Sequence, residues 1–247
     1  MDFTGQKVLV TGGSRGIGRA VCRQFADAGA MVAVHYRGNE DAANETLASL
    51  ASEGHISVQA DMGDADAVQA MVNTTIESLG GLDILVNNAG VFEEHKIADV
   101  DYATWQAAWR RTIEVNLFGA ANTMWCAGQH MMKNGGGRIV NVSSRGAFRG
   151  EPAAPAYGAS KSGMNSMSQS LARALAPHGI YVTAVAPGWV DTDMAEGYTH
   201  EGAKQSPLNR VATPDEIAHA VLYLASSGSE FTTGAILDVN GASFFRN

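Results

Sequence analysis

The sequence predicts a single α/β domain, built as a doubly wound parallel sheet of seven strands with helices on both faces. Three observations predict it. Short apolar segments alternate with helical segments along the 247 residues, which is typical of a parallel sheet covered by helices. The apolar segments are continuous rather than alternating, as expected for strands buried on both faces. A glycine-rich turn joins the first strand to the first helix.

The elements follow one another without a linker or a repeat. The predicted strands are KVLVTGG (7–13), MVAVHY (31–36), SVQAD (57–61), DILVNNAG (83–90), GRIVNVSS (137–144), IYVTAVAPG (180–188) and ILDVN (236–240). The predicted helices cover Ile17 to about Ala28, the segment DAANETLASLASEG, Asp64–Leu79, Asp101–Met132, 153–175 and a stretch opened by Pro214. Residues 1–247 are therefore interpreted as one domain. Its cofactor half is about 1–135, and its catalytic and substrate half is about 136–247.

Composition excludes several functional classes. The net charge of −8 and the pI near 5.3 argue against a nucleic-acid or anionic-membrane binder, which needs a basic face. Two cysteines, Cys22 and Cys126, are too few for a disulfide framework and favour a reducing compartment. No apolar run is long enough to cross a bilayer, and the first strand begins directly after MDFTGQ. We expect a cytoplasmic protein. The seven histidines lack ligand-like spacing, so we expect no metal site.

The glycine-rich turn TGGSRGIG (11–18) predicts a dinucleotide site. Glycine allows a sharp turn and lets a pyrophosphate approach the backbone. The N-terminus of the following helix offers free N–H groups to the same phosphates. The alternative is an ordinary tight turn between a strand and a helix. Its place at the start of a doubly wound pattern favours the nucleotide site, and hence a Rossmann-type domain.

Tyr157 and Lys161 are one helical turn apart in YGASK (157–161). Positions i and i+4 share a face of a helix, and only small residues separate the two. The phenol can supply a proton to a carbonyl oxygen that receives a hydride, and a nearby ammonium favours the phenolate that forms. The alternative is an exposed polar pair on an amphipathic helix.

Motifs along nearly the whole chain decide between these alternatives, because together they resemble the short-chain dehydrogenase/reductase family. In chain order they are TGGSRGIG (11–18), Asp61, NNAG (87–90), Asn116, Ser144, YGASK (157–161) and PGWVDT (187–192). The resemblance implies an enzyme in which Tyr157 is the general acid or base and Lys161 assists it. It also implies that Ser144 holds the substrate oxygen, with Ser143 as the competing candidate. The backbone carbonyl of Asn116 would complete a proton relay.

The resemblance also implies the residues that bind the cofactor. Asp61 would bind the adenine amino group, and Thr192 would hold the nicotinamide carboxamide. The full set comprises Gly12, Ser14, Arg15, Gly16, Ile17, Gly18, Tyr36, Arg37, Asp61, Met62, Asn88, Ala89, Gly90, Tyr157, Lys161, Pro187, Gly188, Val190 and Thr192.

The end of the second strand indicates which cofactor is preferred. An NAD enzyme of this architecture usually has an acid there to bind the ribose 2′-hydroxyl, but this strand ends VAVHYRGN. Arg15 and Arg37 instead bracket the expected position of a 2′-phosphate, and arginine presents a planar fork of donors that suits phosphate. We expect NADP(H) to be preferred, with NAD possible. The alternative is that both arginines are surface charges.

The expected function is hydride transfer between NADP(H) and a carbonyl or secondary alcohol. The tail 212–242 and APGWVDTDM resemble the branch with 3-oxoacyl-(acyl carrier protein) reductases, so a ketone or 3-oxoacyl-type substrate is preferred. A sugar or polyol dehydrogenase is the alternative, and a non-catalytic nucleotide-binding regulator is an alternative of another class. Gly135 and His178 replace the basic residues that reductases of carrier-protein substrates typically offer, and the segment from Met194 to Pro207 is short for a lid. An acyl carrier protein partner is therefore doubtful.

Aromatic residues outside these motifs predict packing and assembly. Trp105 and Trp109 share a helix face and are expected in the core or a subunit interface rather than against substrate. Trp189 follows Pro187 and Gly188 at the cofactor crevice. A place in the wall of the substrate pocket and a place away from it are equally compatible with the sequence. The family usually pairs through its long helices and its last strand, so we expect a homotetramer, with Phe244 and Phe245 buried at an interface.

Overall fold

The computed structural model describes residues 1–195, 197 and 199–246. Within them, one sheet holds seven parallel strands: β1 (Lys7–Val10), β2 (Met31–Tyr36), β3 (Ile56–Gln59), β4 (Ile84–Asn87), β5 (Gly137–Val142), β6 (Ile180–Pro187) and β7 (Ile236–Val239). Their order is β3-β2-β1-β4-β5-β6-β7. The chain winds outward in both directions from β1 and β4, which confirms the predicted doubly wound fold.

The helices of the described residues cover both faces of the sheet. They are α1 (Gly16–Asp27), α2 (Glu40–Ala48), α3 (Ala65–Leu79), α4 (Tyr102–Ile113), α5 (Gly119–Lys133), α6 (Gly146–Arg149), α7 (Pro155–Leu175), α8 (Thr199–Lys204) and α9 (Pro214–Ala225). Single 3₁₀ turns lie at Ala176–His178, Asp193–Ala195 and Glu230–Thr232.

Alternating side chains of the strands divide the core into two layers. Val8 and Val10 of β1 pack in the layer that contains α1 and α9, whereas Leu9 packs in the layer that contains α3 and α5. All three side chains are fully buried. Burying a side chain of this kind contributes about 1.5–3 kcal/mol, so both faces of the sheet stabilise its position. This explains why the strands are apolar throughout.

Several predicted strands are longer than the observed ones. The predictions 7–13, 83–90 and 137–144 include residues that leave the sheet after Val10, Asn87 and Val142. Gly12 has a φ of +65°, which a continuing strand does not allow. These ends turn away from the sheet and form the walls of a crevice at its carboxyl edge.

The long helical region predicted from about Asp101 to Met132 is confirmed, since α4 and α5 are joined directly by a π-helical turn at Glu114–Phe118. The sequence did not predict the π turn. A π turn inserts an extra residue and often marks a functional site. Here it contains Asn116.

Candidate active site

A cavity of about 660 Å³ opens at the carboxyl ends of the strands. It lies where the strand order changes direction between β1 and β4, the position at which open α/β sheets bind ligands. Its walls come from the segments that follow β1 to β6. The predicted site residues that line it are Gly12, Ser14, Arg15, Gly16, Ile17, Tyr36, Arg37, Asp61, Met62, Asn88, Ala89, Gly90, Ser144, Tyr157, Lys161, Pro187, Gly188, Val190 and Thr192.

The other two predicted site residues lie behind the wall. Gly18 packs beneath the glycine-rich turn, where a Cβ atom would lie 2.0 Å from the carbonyl oxygen of Gly12. The side chain of Asn116 is fully buried. Both residues therefore shape the cavity from behind, and neither contributes to its lining.

The glycine-rich turn forms a cradle that fits a pyrophosphate. Gly12 and Gly16 have φ values of +65° and +53°, which glycine adopts without strain. Arg15 is the N-cap of α1, and no side chain of the described residues caps that end of the helix. The first N–H groups of α1 thus remain available to an anion. The donors present here suit the phosphates of a dinucleotide.

His35, a residue that sequence reasoning did not select, supports the turn from below. Its Nδ1 accepts a hydrogen bond from the N–H of Gly12 at 2.9 Å. Its Nε2 lies 3.0 Å from the carbonyl oxygen of Ala60, so the neutral ring with a proton on Nε2 satisfies both contacts. Burial lowers the pKa of His35 and keeps this form. A histidine inside an apolar strand gives no signal for this role in the sequence.

Asp61 is held at the end of β3 by a second missed residue. Its Oδ1 accepts a hydrogen bond from the N–H of Gly63 at 2.9 Å, and both carboxylate oxygens accept from Nη1 of Arg111 at 3.1 and 3.2 Å. Burial acts to raise the pKa of Asp61, but these hydrogen bonds and the charges of Arg111 and Arg37 lower it overall. The carboxylate therefore stays ionised and can accept a hydrogen bond from an amino group in the cavity.

The two arginines expected near a 2′-phosphate both line the cavity. Arg15 forms an exposed ion pair with Asp193 at 3.1 Å, which joins the glycine-rich turn to the segment after β6. Arg37 directly follows β2, and its carbonyl oxygen accepts a hydrogen bond from Gln59 at 3.0 Å. Both cations thus stand at the end of the cavity formed by β1 and β2.

The predicted catalytic side chains meet at the other end. Tyr157 and Lys161 lie on the first turns of α7, and the Lys161 Nζ atom is 5.8 Å from the centre of the Tyr157 ring. Ser144, just after β5, lies near enough to Tyr157 to act on the pKa of the phenol, and its hydroxyl accepts from the N–H of Gly146 at 3.0 Å. Lys161 is buried and donates to the carbonyl oxygen of Val142 at 2.7 Å. Both Ser143 and Ser144 line the cavity, but the Ser143 hydroxyl donates to the carbonyl oxygen of Lys161 at 3.4 Å, which leaves Ser144 as the serine beside the phenol.

Burial governs the protonation of this pair. It raises the pKa of Tyr157 to about 12, opposed by the hydrogen bond from Ser144 and reinforced by the charge of Glu151. It lowers the pKa of Lys161 to about 8. Burial is therefore the dominant influence on the phenol, and the role expected of Lys161 in favouring the phenolate stays a prediction. At neutral pH the phenol is protonated, as a proton donor must be.

Side-chain hydrogen bonds of Asn116 connect the π turn to the wall of the cavity. Its Oδ1 accepts from the N–H of Val91 at 2.8 Å, and its Nδ2 donates to the carbonyl oxygen of Val91 at 3.0 Å. The same Nδ2 reaches the hydroxyl of Ser160 at 3.2 Å. The side chain thus joins the segment after β4 to α7, one residue from Lys161.

A third group that the sequence did not reveal fixes the start of α7. Phe92 packs edge-to-face on Tyr157, with ring centres 5.1 Å apart. His95 is buried; its Nε2 accepts from the N–H of Ala156 at 3.3 Å, and its Nδ1 lies 2.8 Å from the carbonyl oxygen of Glu93. Phe92 and His95 therefore hold both the ring of Tyr157 and the backbone beside it.

Three of the four tryptophans lie near the site, and they are placed differently. Trp105 and Trp109 pack around His95, with ring centres 5.4 and 6.5 Å from the imidazole, and lie behind the cavity wall. Trp189 follows Gly188 and lines the cavity. Of the alternatives left open by the sequence, the structure thus places Trp189 in the wall, together with Arg145 and Glu151.

Comparison with known proteins agrees with this geometry. The family model described as enoyl-(acyl carrier protein) reductase matches residues 12–242. The chain belongs to the short-chain dehydrogenase/reductase family. As a member of it, the protein is an oxidoreductase that acts on carbonyl or CH–OH groups, and the alternative of a non-catalytic regulator is set aside.

Individual members of this family align with nearly the whole length of this chain. The 3-oxoacyl-(acyl carrier protein) reductase of Staphylococcus aureus is 36% identical over 97% of this chain and 98% of its own. The cis-4-hydroxycyclohexanecarboxylate dehydrogenase of Sinomonas cyclohexanicum is 37% identical over 97% and 96%. The crystal structure of a short chain dehydrogenase from Burkholderia cenocepacia in complex with NADP is similar, with a TM-score of 0.89, 33% identity, and coverage of 98% and 99%.

Two features are absent from the residues that the structure describes. None of their helices is both long and apolar enough to cross a membrane. They also hold no group of three or more histidine, cysteine or acidic side chains placed to bind a metal ion.

Proposed function

We propose that this dehydrogenase/reductase reduces a ketone with NADPH, and oxidises the corresponding secondary alcohol in the reverse direction. The observation that carries the proposal is that Ser144, Tyr157 and the buried Lys161 line one end of the same cavity, with the Lys161 Nζ atom 5.8 Å from the centre of the Tyr157 ring. When bound, the nicotinamide supplies or accepts the hydride. The two hydroxyl groups bind the substrate oxygen and hold the carbonyl in one orientation. Donors placed in advance for a developing negative charge contribute most in a site that excludes water.

Proton transfer is assigned to Tyr157. As the carbonyl oxygen gains negative charge, the phenol gives it a proton and becomes a phenolate. The ammonium of Lys161 stabilises that phenolate, and proton relay through the backbone at Asn116 would return the proton. Reversal of these steps makes the phenolate the general base for alcohol oxidation.

The test of this assignment is Tyr157→Phe, assayed with NADPH and a panel of ketones. Proton transfer by a positioned side chain contributes about 10²–10⁴-fold, so kcat should fall by that factor while NADPH affinity stays near the wild-type value. Tyr181→Phe is the control, since Tyr181 lies on β6 beside Arg138 and outside the cavity. Wild-type turnover by Tyr157→Phe would show that another group is the acid.

The preference for NADP(H) over NAD(H) is proposed from Arg15 and Arg37 at the β2 end of the cavity. The NADP complex of the similar Burkholderia cenocepacia protein supports it. Hydrogen bonds to a charged group contribute about 1.5–3 kcal/mol each. We expect Arg37→Ala to lower kcat/KM for NADPH by about 10–100-fold and to leave that for NADH unchanged. Arg23→Ala, which removes an exposed cation of α1, should change neither. Similar kcat/KM values for both cofactors in wild type and Arg37→Ala would exclude this role.

The names of two relatives indicate candidate substrate classes for this chain. One is named for a 3-oxoacyl-(acyl carrier protein) substrate and the other for cis-4-hydroxycyclohexanecarboxylate, a hydroxy acid. A simple ketone or 3-oxoacyl-type compound remains the proposal, with a hydroxy or oxo acid as the second candidate because a buried arginine lines the cavity. A sugar or polyol remains the alternative within the family.

The remaining functional context is also proposed. We assign cofactor binding to residues 1–135 and substrate binding and catalysis to 136–247, since the cavity draws its β1–β4 walls from the first part and its reactive end from the second. Both cysteines are free thiols, which fits a reducing cytoplasm. A homotetramer is the proposed assembly.

A further inference from the structure

Arg145 is a buried cation at the reactive end of the cavity. It directly follows Ser144, is 3% exposed and lines the same cavity as Tyr157 and Trp189. Its backbone N–H donates to the carbonyl oxygen of Pro187 at 2.9 Å, so the residue is fixed between the ends of β5 and β6. Proton and hydride transfer as proposed above make no use of its charge.

The guanidinium of Arg145 is bound by neutral groups. Its Nη1 donates to the hydroxyl of Ser243 and its Nη2 to the amide oxygen of Gln205, both at 2.5 Å. A guanidinium has five N–H donors, so these two contacts leave donors for a further acceptor. Among the residues that the structure describes, no carboxylate lies within ion-pair distance of it. The neighbouring Glu151 pairs with Arg149 instead, at 3.5 Å.

Two cations converge on one neutral oxygen at this place. The amide oxygen of Gln205 accepts from Arg145 and also from Nη1 of Arg149 at 3.4 Å. Burying a charge without an opposite charge is unfavourable. Burial and the charge of Arg149 accordingly lower the pKa of Arg145 to about 10, although Glu151 acts against this. An anion that enters beside Ser144 would supply the missing negative charge.

We propose that Arg145 determines specificity by binding an anionic group of the substrate, a carboxylate carried a few bonds from the carbonyl that is reduced. This rests on the proposed ketone reduction. Because Arg145 and Ser144 both line this cavity, one small oxo acid can contact both. Arginine binds carboxylates through two parallel hydrogen bonds, which gives orientation as well as affinity. A neutral thioester offers no such group, so the proposal favours a free oxo or hydroxy acid.

The test compares acids with their neutral amides. Wild type and Arg145→Gln are assayed with NADPH on 4-oxocyclohexanecarboxylate and 4-oxocyclohexanecarboxamide, and on 3-oxobutanoate and 3-oxobutanamide. Wild type should prefer at least one acid over its amide by about 10–100-fold in kcat/KM, mainly through KM. Arg145→Gln should bring that ratio close to one. Arg110→Gln, which removes an exposed charge of α4 outside the cavity, should keep the wild-type ratio.

Equal kcat/KM values for both acids and their amides in wild type would overturn the proposal. So would an Arg145→Gln variant that loses the acid and the amide to the same extent, because that marks a purely structural role. If circular dichroism shows that Arg145→Gln is unfolded, the acid-to-amide ratio of kcat/KM is compared between wild type and Arg145→Lys instead. Calorimetry of acid and amide binding to the NADP-loaded enzyme separates the proposed anion site at Arg145 from the proposed ketone reduction. Acid-selective binding without turnover would contradict the reduction of these ketones and support the anion site.

Discussion

At the scale of single residues, Lys161 shows how burial and charge oppose each other in the active site. The ammonium is buried and has one hydrogen bond to the carbonyl oxygen of Val142. Burial lowers its pKa to about 8, against about 10.4 for an unperturbed lysine. The ammonium to which we assign the stabilisation of a Tyr157 phenolate is thus held at a cost in stability.

This cost predicts a pH-dependent stability. Between about pH 8 and 10.4 the unfolded chain keeps the lysine proton that the folded chain releases, so the free energy of unfolding rises with pH because of this group. Lys161→Met removes the effect. We expect the difference in unfolding free energy, wild type minus Lys161→Met, to rise by about 1–2 kcal/mol between pH 7.5 and 9.5, measured by urea denaturation.

The difference between the two proteins isolates Lys161 from opposing groups. Burial raises the pKa of the Cys22 thiol, which makes stability fall with pH in the same range, but both proteins share that thiol. The raised pKa of Tyr157 acts only above about pH 10. A difference that stays constant from pH 7.5 to 9.5 would mean that Lys161 keeps an ordinary pKa.

The side chains that meet at the reactive end of the cavity could be predicted because their spacing along the chain is itself a signal. Tyr157 and Lys161 are one helical turn apart, and Ser144 closes a strand. Arg111, His35 and His95 could not be found in this way. Each acts through a partner that is distant in sequence, at separations of 50, 23 and 61 residues. Such pairs depend on how the elements dock, and no local pattern records them.

At the scale of elements, predictability follows burial. The strands were recognised because both of their faces are covered, which keeps them apolar from end to end. The π turn at Glu114–Phe118 within the predicted helical region could not be predicted, because the same residue types form α and π turns. Asn116 lies in that π turn and makes buried tertiary contacts with Val91 and Ser160. The long strand predictions failed for a related reason, since the chain turns from the sheet to build the cavity.

At the scale of the whole molecule, the order of the strands determines where the site lies. Alternation of strands and helices predicts a doubly wound sheet, and such a sheet must have a point where its winding changes direction. The cavity lies at that point. The substrate end could not be predicted to the same extent, because Arg145 meets Gln205 and Ser243 from segments far along the chain. Glu196 and Tyr198, within the segment expected to form a short lid, lie outside the described residues.

Exposed aromatic side chains predict how the molecule assembles. Phe118 and Trp125 are 57% and 61% exposed and lie two turns apart along the π turn and α5. Phe231 and Phe245, before and after β7, are fully exposed and 72% exposed, while Phe244 is half-buried. These are two separate apolar surfaces, at α5 and at the edge strand β7. Two different two-fold interfaces generate a tetramer with dihedral symmetry.

We therefore expect light scattering at micromolar protein to give a mass of about 104 kDa, four times the 25.9 kDa of one chain. A charge placed on either surface should break one interface and leave the other, because burying an unpaired charge is costly. Trp125→Glu and Phe231→Glu should then each give a dimer of about 52 kDa, and the double variant a monomer. Ala51→Glu, an exposed change beside β3 at the opposite edge of the sheet, should keep the tetramer. A wild-type mass near that of one chain would exclude both interfaces. A wild-type dimer that only one of the two variants converts to a monomer would exclude the interface that the other variant changes.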